Sequence, residues 1–442
     1  MGKGKPEWKI TTSISKENLL KKGNESMANG KLKKTVSLLD ATSIGIGAIV
    51  GAGIFVVLGV AVGLAGPAVI ASILIAGAVA ALTALSFVRL SRATQKEGGA
   101  YGFAYEFLPP FWAFLTGFLW IASNVVVGAT VALGFSLYLS RIFPFLPVAP
   151  IAALACLAAA ALNCCGMKQS VSTNNALVAA KILILLFFVL AGFLFFKAGN
   201  FSGLSSVPAG GALSGAAIIF FAYGGFARVT VVSEEVKNAK RNVPRAIILA
   251  LAFSTALYLL VSIVAVGLGG SSQPSSGAFL AESISSTGIP YAALIISLGA
   301  LAATASVLLT GVMGVSRVAF AMARNSQAPK AFSSVDSASG VPRNAVLATG
   351  GASALLALYG DLALAASISS FALLAYYSAS NYAALKLKGG RNSKIISTAG
   401  LVSCFALMAF LSWQSLLAGA FAILCGTAYY FLGKAAKKKG VR

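Results

Sequence analysis

One lysine stands inside an apolar run that carries no other charge: Asn174-Asn175-Ala176-Leu177-Val178-Ala179-Ala180-Lys181-Ile182-Leu183-Ile184-Leu185-Leu186. In a helix at about 1.5 Å per residue, Lys181 lies about 10 Å inside that run. An ionisable group at such a depth in a bilayer is costly and is a functional hypothesis by default. A lysine there is a candidate for loading and releasing a proton. The competing reading is structural: a lysine facing lipid reaches the headgroups along its own stem. Two glycine-rich interruptions of apolar runs offer a second kind of chemistry. They are Gly45-Ile46-Gly47-Ala48-Ile49-Val50-Gly51-Ala52-Gly53-Ile54-Phe55 and Phe220-Phe221-Ala222-Tyr223-Gly224-Gly225-Phe226. Glycine weakens a helix by about 1 kcal/mol relative to alanine. Clusters of it mark where a helix opens and frees main-chain N–H and C=O groups. In a membrane such groups cannot face lipid, so they face protein or a polar solute.

These segments sit in a chain that composition assigns to the membrane. It is 58% apolar and 10% charged, with no histidine and a mean hydropathy of +0.87. A soluble chain carries about 25% charged residues, and a crossing needs about 20 apolar ones. Twelve spans are expected, at 37–60, 67–90, 109–139, 147–166, 174–196, 211–233, 245–269, 289–316, 344–360, 362–385, 395–412 and 414–433. Residues 1–34 lack the apolar core of a signal peptide and read as a disordered cytoplasmic tail. Residues 434–442 form a second basic tail.

The net charge of +23 would suit a nucleic-acid partner, but its distribution does not. With the N-terminus inside, 30 of the 34 basic residues fall in cytoplasmic segments; the outer loops hold only Arg141 and Lys197, and Lys181 and Arg228 fall within spans. That asymmetry is the positive-inside signature. It predicts both termini in the cytoplasm, an even number of spans, a multi-pass protein of the plasma membrane and no nucleic-acid partner. The five cysteines, Cys156, Cys164, Cys165, Cys404 and Cys425, lie in or at the ends of spans and read as small packing residues. No Walker motif, metal cluster or catalytic triad is visible, and histidine, the commonest general base, is missing. The chain reads as neither an enzyme nor a metal or cofactor protein.

The second interruption opens span 6. Five spans precede it, so a unit that begins there enters from the opposite face to one that begins at span 1. Paired interruptions in two inverted repeats are the sequence pointer to a transporter's midplane site. The expected units are a first five-helix repeat over 35–197, an inverted second repeat over 211–386, and two further helices over 395–433.

Three segments also resemble a known family. Gly51-Ala52-Gly53-Ile54-Phe55 resembles the G-[ASTG]-G-I-F of the first helix in amino acid–polyamine–organocation transporters. Gly98-Gly99-Ala100-Tyr101-Gly102-Phe103-Ala104-Tyr105 resembles their entry to helix 3. Phe221 to Phe226, followed by Glu234-Glu235-Val236-Lys237-Asn238-Ala239-Lys240-Arg241-Asn242-Val243-Pro244-Arg245-Ala246-Ile247, resembles their helix 6 and the loop after it. The likeness covers about 35–433 and departs where Ala239 replaces a common proline and where Arg228 occupies an often small position. It implies an all-α membrane protein of 12 transmembrane helices, a 5+5 inverted repeat (LeuT-like) with discontinuous helices 1 and 6. It implies amino acid import with protons by alternating access.

A zwitterionic amino acid needs N–H donors for its carboxylate and acceptors for its ammonium. The N–H groups of Ala52, Gly53 and Ile54, where helix resumes after Gly51, are the expected donors. The carbonyls of Val50, Phe221, Ala222 and Gly224 are the expected acceptors. Phe221 is also a candidate lid. The resemblance to proton-coupled members implies that Lys181 takes the place of a sodium ion and contacts the Gly47 carbonyl and Ser306. Arg228 has two readings: it lines the inner pathway, repels cationic solutes and attracts a side-chain carboxylate of the solute, or it pairs with Glu234, Glu235 or a carbonyl. Asn124 and Tyr223 are pocket candidates or interhelical packing. The acidic pair Glu234-Glu235 is expected to latch the inner gate through Arg89 or Arg92. Partners are therefore a small amino acid, protons and the bilayer, with the oligomeric state open. An exchanger of an amino acid for an amine and a polyamine carrier of the same fold are the alternatives. A membrane sensor would need a soluble domain that the short loops do not provide, and a channel would need a filter that is not visible.

Overall fold

The structure, a computed structural model, describes residues 35–94, 99–165, 171–269, 277–336 and 341–438. Among them every helix or strand element is helical, apart from one isolated bridge between Val36 and Val236. Its α-helices are α1 (Leu38–Ile49), α2 (Leu58–Ala65), α3 (Val69–Ala93), α4 (Gly99–Phe107), α5 (Pro110–Ile142), α6 (Val148–Cys164), α7 (Val171–Phe193), α8 (Ala209–Tyr223), α9 (Arg228–Val231), α10 (Ala239–Gly267), α11 (Phe279–Ser285), α12 (Ala292–Arg324), α13 (Arg343–Ala357), α14 (Leu362–Lys386), α15 (Arg391–Met408) and α16 (Trp413–Lys438). Eight helical runs are long and apolar enough to cross a membrane, one of them the 56-residue stretch Leu38–Ala93. The shorter α6 is also apolar.

Local chemistry sets several helix ends. The Ser37 hydroxyl accepts from the Asp40 N–H at 3.2 Å, and the Asp40 carboxylate accepts from the Ser37 N–H at 3.0 Å, which closes a capping box at the start of α1. Asp361 caps α14 by accepting from the Leu364 N–H at 2.9 Å. Gly66, at φ 51°, stops α2 with a left-handed residue before the chain turns into α3.

Packing follows membrane rules. Leu183, Leu190 and Phe193 of α7 are more than 60% exposed, while Leu185 and Phe188 on the other face are fully buried. An apolar outside of this kind is a lipid-facing surface. Aromatic residues such as Tyr291, Tyr359 and Trp413 stand exposed at helix ends, where a headgroup belt would lie. Inside, α1 and α3 pack on α10, α3 also on α8, α5 on α12 and α14, and α6 on α13. Buried serines and threonines bond back to carbonyls one turn earlier, as Thr304 does to Ala300 O at 2.7 Å.

The two expected interruptions touch each other through glycine. A Cβ on Gly225 would run into the main chain of Ala48, and one on Gly53 would run into Ala222. Both positions therefore require a residue with no side chain. Gly351 of α13 has open space around it. Gly225→Val is expected to lower stability by about 1–3 kcal/mol or more, measured as a lower melting temperature and loss of monodisperse protein. Gly351→Ala should leave both unchanged. A Gly225→Val protein that melts with wild type would contradict the backbone contact.

Candidate functional site

Regular helix stops at Ile49. Val50 has φ −75° and ψ 78°, outside the helical region, and the Gly51 N–H folds back to the Ile49 carbonyl at 2.8 Å. The chain then re-enters a wide π-type turn over Gly53–Val57, a form of helix found at functional sites. Among the described residues no carbonyl outside the helical ladder takes the N–H of Ala52, Gly53 or Ile54. The second segment behaves differently. α8 ends at Tyr223, tightens into a 3-10 turn over Gly224–Ala227, and continues as the single turn α9.

Buried tyrosines serve the carbonyls of both segments. The Tyr258 hydroxyl of α10 donates to Ile49 O at 2.6 Å and lies 3.2 Å from Ala222 O, so one phenol bridges the two interruptions. Tyr377 of α14 donates to Gly224 O at 2.6 Å, and Tyr138 of α5 donates to Phe55 O at 2.6 Å. All three are fully buried. Sequence reasoning did not find them. A signal existed, because a buried tyrosine needs a partner for its hydroxyl, but nothing local shows which carbonyl that is. Tyr223, singled out instead, donates to Ile73 O at 3.3 Å on α3 and does not line the cavity.

A cavity of ≈ 50 Å³ lies between the interruptions. Ala52, Gly53, Phe221, Ala222, Gly224, Asn124 and Arg228 line it. Val50, Gly51 and Ile54 do not; Gly51 packs on Val307 of α12, and Val50 and Ile54 are fully buried. Phe221 is 7% exposed. Asn124 spends its amide N–H on Trp120 O of its own helix, at 2.8 Å. The space suits a few waters at about 10–15 Å³ each.

Lys181 points into the bundle, on the face of α7 that also carries Leu185 and Phe188, and is 2% exposed. The lipid-facing reading of this lysine is therefore incorrect. Its ammonium lies 3.5 Å from Gly47 O of α1 and 3.3 Å from Ser306 Oγ of α12. Gly47 makes this approach possible, because a Cβ there would meet Val178 at 2.6 Å. Lys181 stands behind the cavity and does not line it.

Arg228 lines the cavity and donates to Thr310 Oγ1 of α12 at 2.7 Å. The ion pairs among the described residues are Arg141–Glu282 and Arg343–Asp336. Pairing of Arg228 with Glu235 is thus not observed. The Glu234 side chain lies outside the described residues. The expected latch through Arg89 is also not seen: Arg89 donates to Ser393 O at 2.7 Å and Ser397 Oγ at 2.8 Å, on α15.

Other contacts close this end of the bundle. Val36 pairs with Val236 through Val36 N–H to Glu235 O at 3.0 Å and Lys237 N–H to Val36 O at 2.9 Å. The chain entering α1 is thereby tied to the loop leaving α9. Gly99 starts α4 at φ 53°, while Gly98 lies outside the described residues. The Tyr101 hydroxyl donates to Gln327 Oε1 at 2.8 Å and accepts from Asn325 at 2.9 Å. Burial pushes this phenol above its ordinary value.

The chain is a helical membrane bundle with an internal cavity beside two glycine-rich segments. Comparison with known proteins makes it a transporter rather than an enzyme. Residues 40–440 match the amino acid permease family model, and the chain belongs to that family, within the amino acid–polyamine–organocation superfamily. An uncharacterized transporter of Mycobacterium tuberculosis is 33% identical over 405 residues, covering 90% of this chain and 91% of that one. The methylthioribose transporter of Bacillus subtilis is 32% identical, over 81% of this chain and 82% of its own. The mitochondrial cationic amino acid transporter 3 of Arabidopsis thaliana is 33% identical, over 78% of this chain and 61% of its own.

Tyr258→Phe removes the hydroxyl shared by Ile49 O and Ala222 O. It is expected to cost about 1–3 kcal/mol, measured as a lower melting temperature in nanodiscs. Tyr382→Phe, on the partly exposed face of α14, is the control. Equal melting of the Tyr258→Phe variant and wild type would show that the bridge carries no stability.

Proposed function

We propose that this permease imports amino acids together with protons by alternating access. The observation that supports the reading is the pair of glycine-rich segments, packed main chain on main chain, with Ala52 and Gly53 on one side of a cavity and Phe221, Ala222 and Gly224 on the other. In this reading the N–H groups of Ala52 and Gly53 at the cavity wall, joined by that of Ile54 once the cavity widens around the solute, hold the solute carboxylate with the help of the helix dipole. The carbonyls of Phe221, Ala222 and Gly224 at the cavity wall, joined by that of Val50 once the cavity widens, hold its ammonium. The tyrosine bonds leave each served carbonyl a second lone pair. Phe221, at the cavity wall, is the lid.

Twelve crossings account for the helices. The turn at Gly66 divides the long first run in two, and α6, α13 and α15 add three shorter crossings to the apolar runs. The repeats over 35–197 and 211–386 then each begin with an interrupted helix. In this reading the basic excess keeps both termini in the cytoplasm, and the membrane is the plasma membrane.

Lys181 is the proton carrier in this scheme. It touches α1 through Gly47 and α12 through Ser306 from its own place on α7. A protonated amine holds three helices together at this point, and a neutral one loosens them. The relatives' names span cationic amino acids and methylthioribose, so kinship does not fix the solute.

The test is uptake by purified protein in proteoliposomes. An inward proton gradient, without sodium, should drive accumulation of amino acids. Lys181→Gln should lower that accumulation by at least about tenfold, the scale of 1.4 kcal/mol of lost coupling. Accumulation by Lys181→Gln that still follows the pH gradient would refute the role of Lys181. Counterflow indifferent to pH in the wild type would favour an exchanger.

A further inference from the structure

Arg228 is a cation in the interior with an incomplete set of partners. A guanidinium offers five N–H donors in a planar fork. One of its nitrogens donates to the neutral Thr310 hydroxyl. None of the ion pairs among the described residues includes it, and no carboxylate lines the cavity it faces. Arg228 is half-buried, and a charge drawn partly out of water without a counter-charge is unfavourable. It persists where function supplies the missing partner.

A second cation lies close by. Lys181 donates to Ser306 and Arg228 donates to Thr310, residues one turn apart on the same face of α12. Thr310 in turn donates to Ser306 O at 2.9 Å. Two positive side chains thus converge on one strip of α12. Among the described residues no acidic group balances them at the cavity.

We propose that Arg228 is the subsite for a second acidic group on the solute, and that the permease carries amino acids with an anionic side chain. This rests on the preceding reading, in which the α-carboxylate and ammonium are held at the interruptions. The side-chain carboxylate then meets the guanidinium fork, with two parallel hydrogen bonds available. Asn124 and Tyr376 stand on the same cavity wall as further polar groups. A solute with a cationic side chain meets Arg228 and Lys181 with nothing to offset them. By this criterion the chain differs from its relatives that are named for cationic amino acids.

The test is a binding series on the full-length protein in nanodiscs, by calorimetry, with glutamate, aspartate, glutamine, alanine, lysine and putrescine. Glutamate or aspartate is expected to bind at least tenfold more tightly than glutamine, which has nearly the same shape without the charge. Lysine and putrescine should bind more weakly than glutamine. In Arg228→Gln the glutamate-to-glutamine affinity ratio should fall toward one, and Arg228→Lys should restore part of it. The proposal is overturned if wild type prefers lysine or glutamine to glutamate, or if Arg228→Gln keeps the wild-type ratio. Should Arg228→Gln fail to fold, the wild-type ranking alone decides in the same two directions. Binding of neutral amino acids with no glutamate preference overturns this inference and leaves the amino acid reading standing. A protein that binds no amino acid overturns both.

Discussion

A main-chain N–H or C=O released from a helix in the middle of a bilayer has no water to turn to, and the interior of this permease is organised by where its partners come from. Ile49 O, Ala222 O, Gly224 O and Phe55 O are each met by a buried phenol at 2.6–3.2 Å. These phenols come from α10, α14 and α5, so three separate helices brace the interruptions. Tyr258 does more than satisfy a carbonyl. It joins α1 to α8, which makes the geometry of one interruption depend on the other. Each unsatisfied group would cost several kcal/mol in hydrocarbon, and that penalty is what makes the braced form specific. The N–H groups at Ala52, Gly53 and Ile54 lack such partners outside the ladder. We propose that this asymmetry serves the carboxylate of the solute.

The same helices distribute charge sparingly. Among the described residues Lys181 is buried and Arg228 is half-buried at the cavity, and each is held by a hydroxyl of α12. Gly47 and Gly225 are the steric counterparts of this arrangement. One lets α7 reach the α1 carbonyl, and the other lets the 3-10 turn after α8 rest on α1. Motion of α1 would therefore be felt at Lys181, at Tyr258 and at the cavity wall together. The Val36–Val236 pairing ties the same two elements at one end of the bundle. A conformational change that opens the cavity there has to release it.

Membrane class and family were legible in the sequence because both rest on local features: apolar runs of crossing length and short contiguous motifs such as Gly51-Ala52-Gly53-Ile54-Phe55. The end of regular helix at Ile49 was legible for the same reason, since glycine acts on its own backbone. What was not legible is non-local. Nothing near Tyr258 or Tyr377 names Ile49 O or Gly224 O as a partner, more than a hundred residues away. Tyr223 sits inside a conspicuous motif and yet faces α3, because a one-residue step along a helix turns a side chain by about 100°. Arg89 and Glu235 both lie at helix ends near the same loops, but α15, absent from that expectation, takes the arginine. Whether Lys181 faced lipid or protein could not be settled by its own run. Residues on both faces of α7 are apolar, and only burial by α1 and α12 separates them.

The most direct test of the account is a solute-bound structure of the protein in a lipid nanodisc, at a resolution that shows main-chain carbonyls. The account predicts the solute carboxylate against the N–H groups of Ala52, Gly53 and Ile54, and its ammonium against carbonyls of the second interruption. A solute held by side chains elsewhere, or continuous regular helix through Val50–Gly51 and Gly224–Ala227, would contradict it.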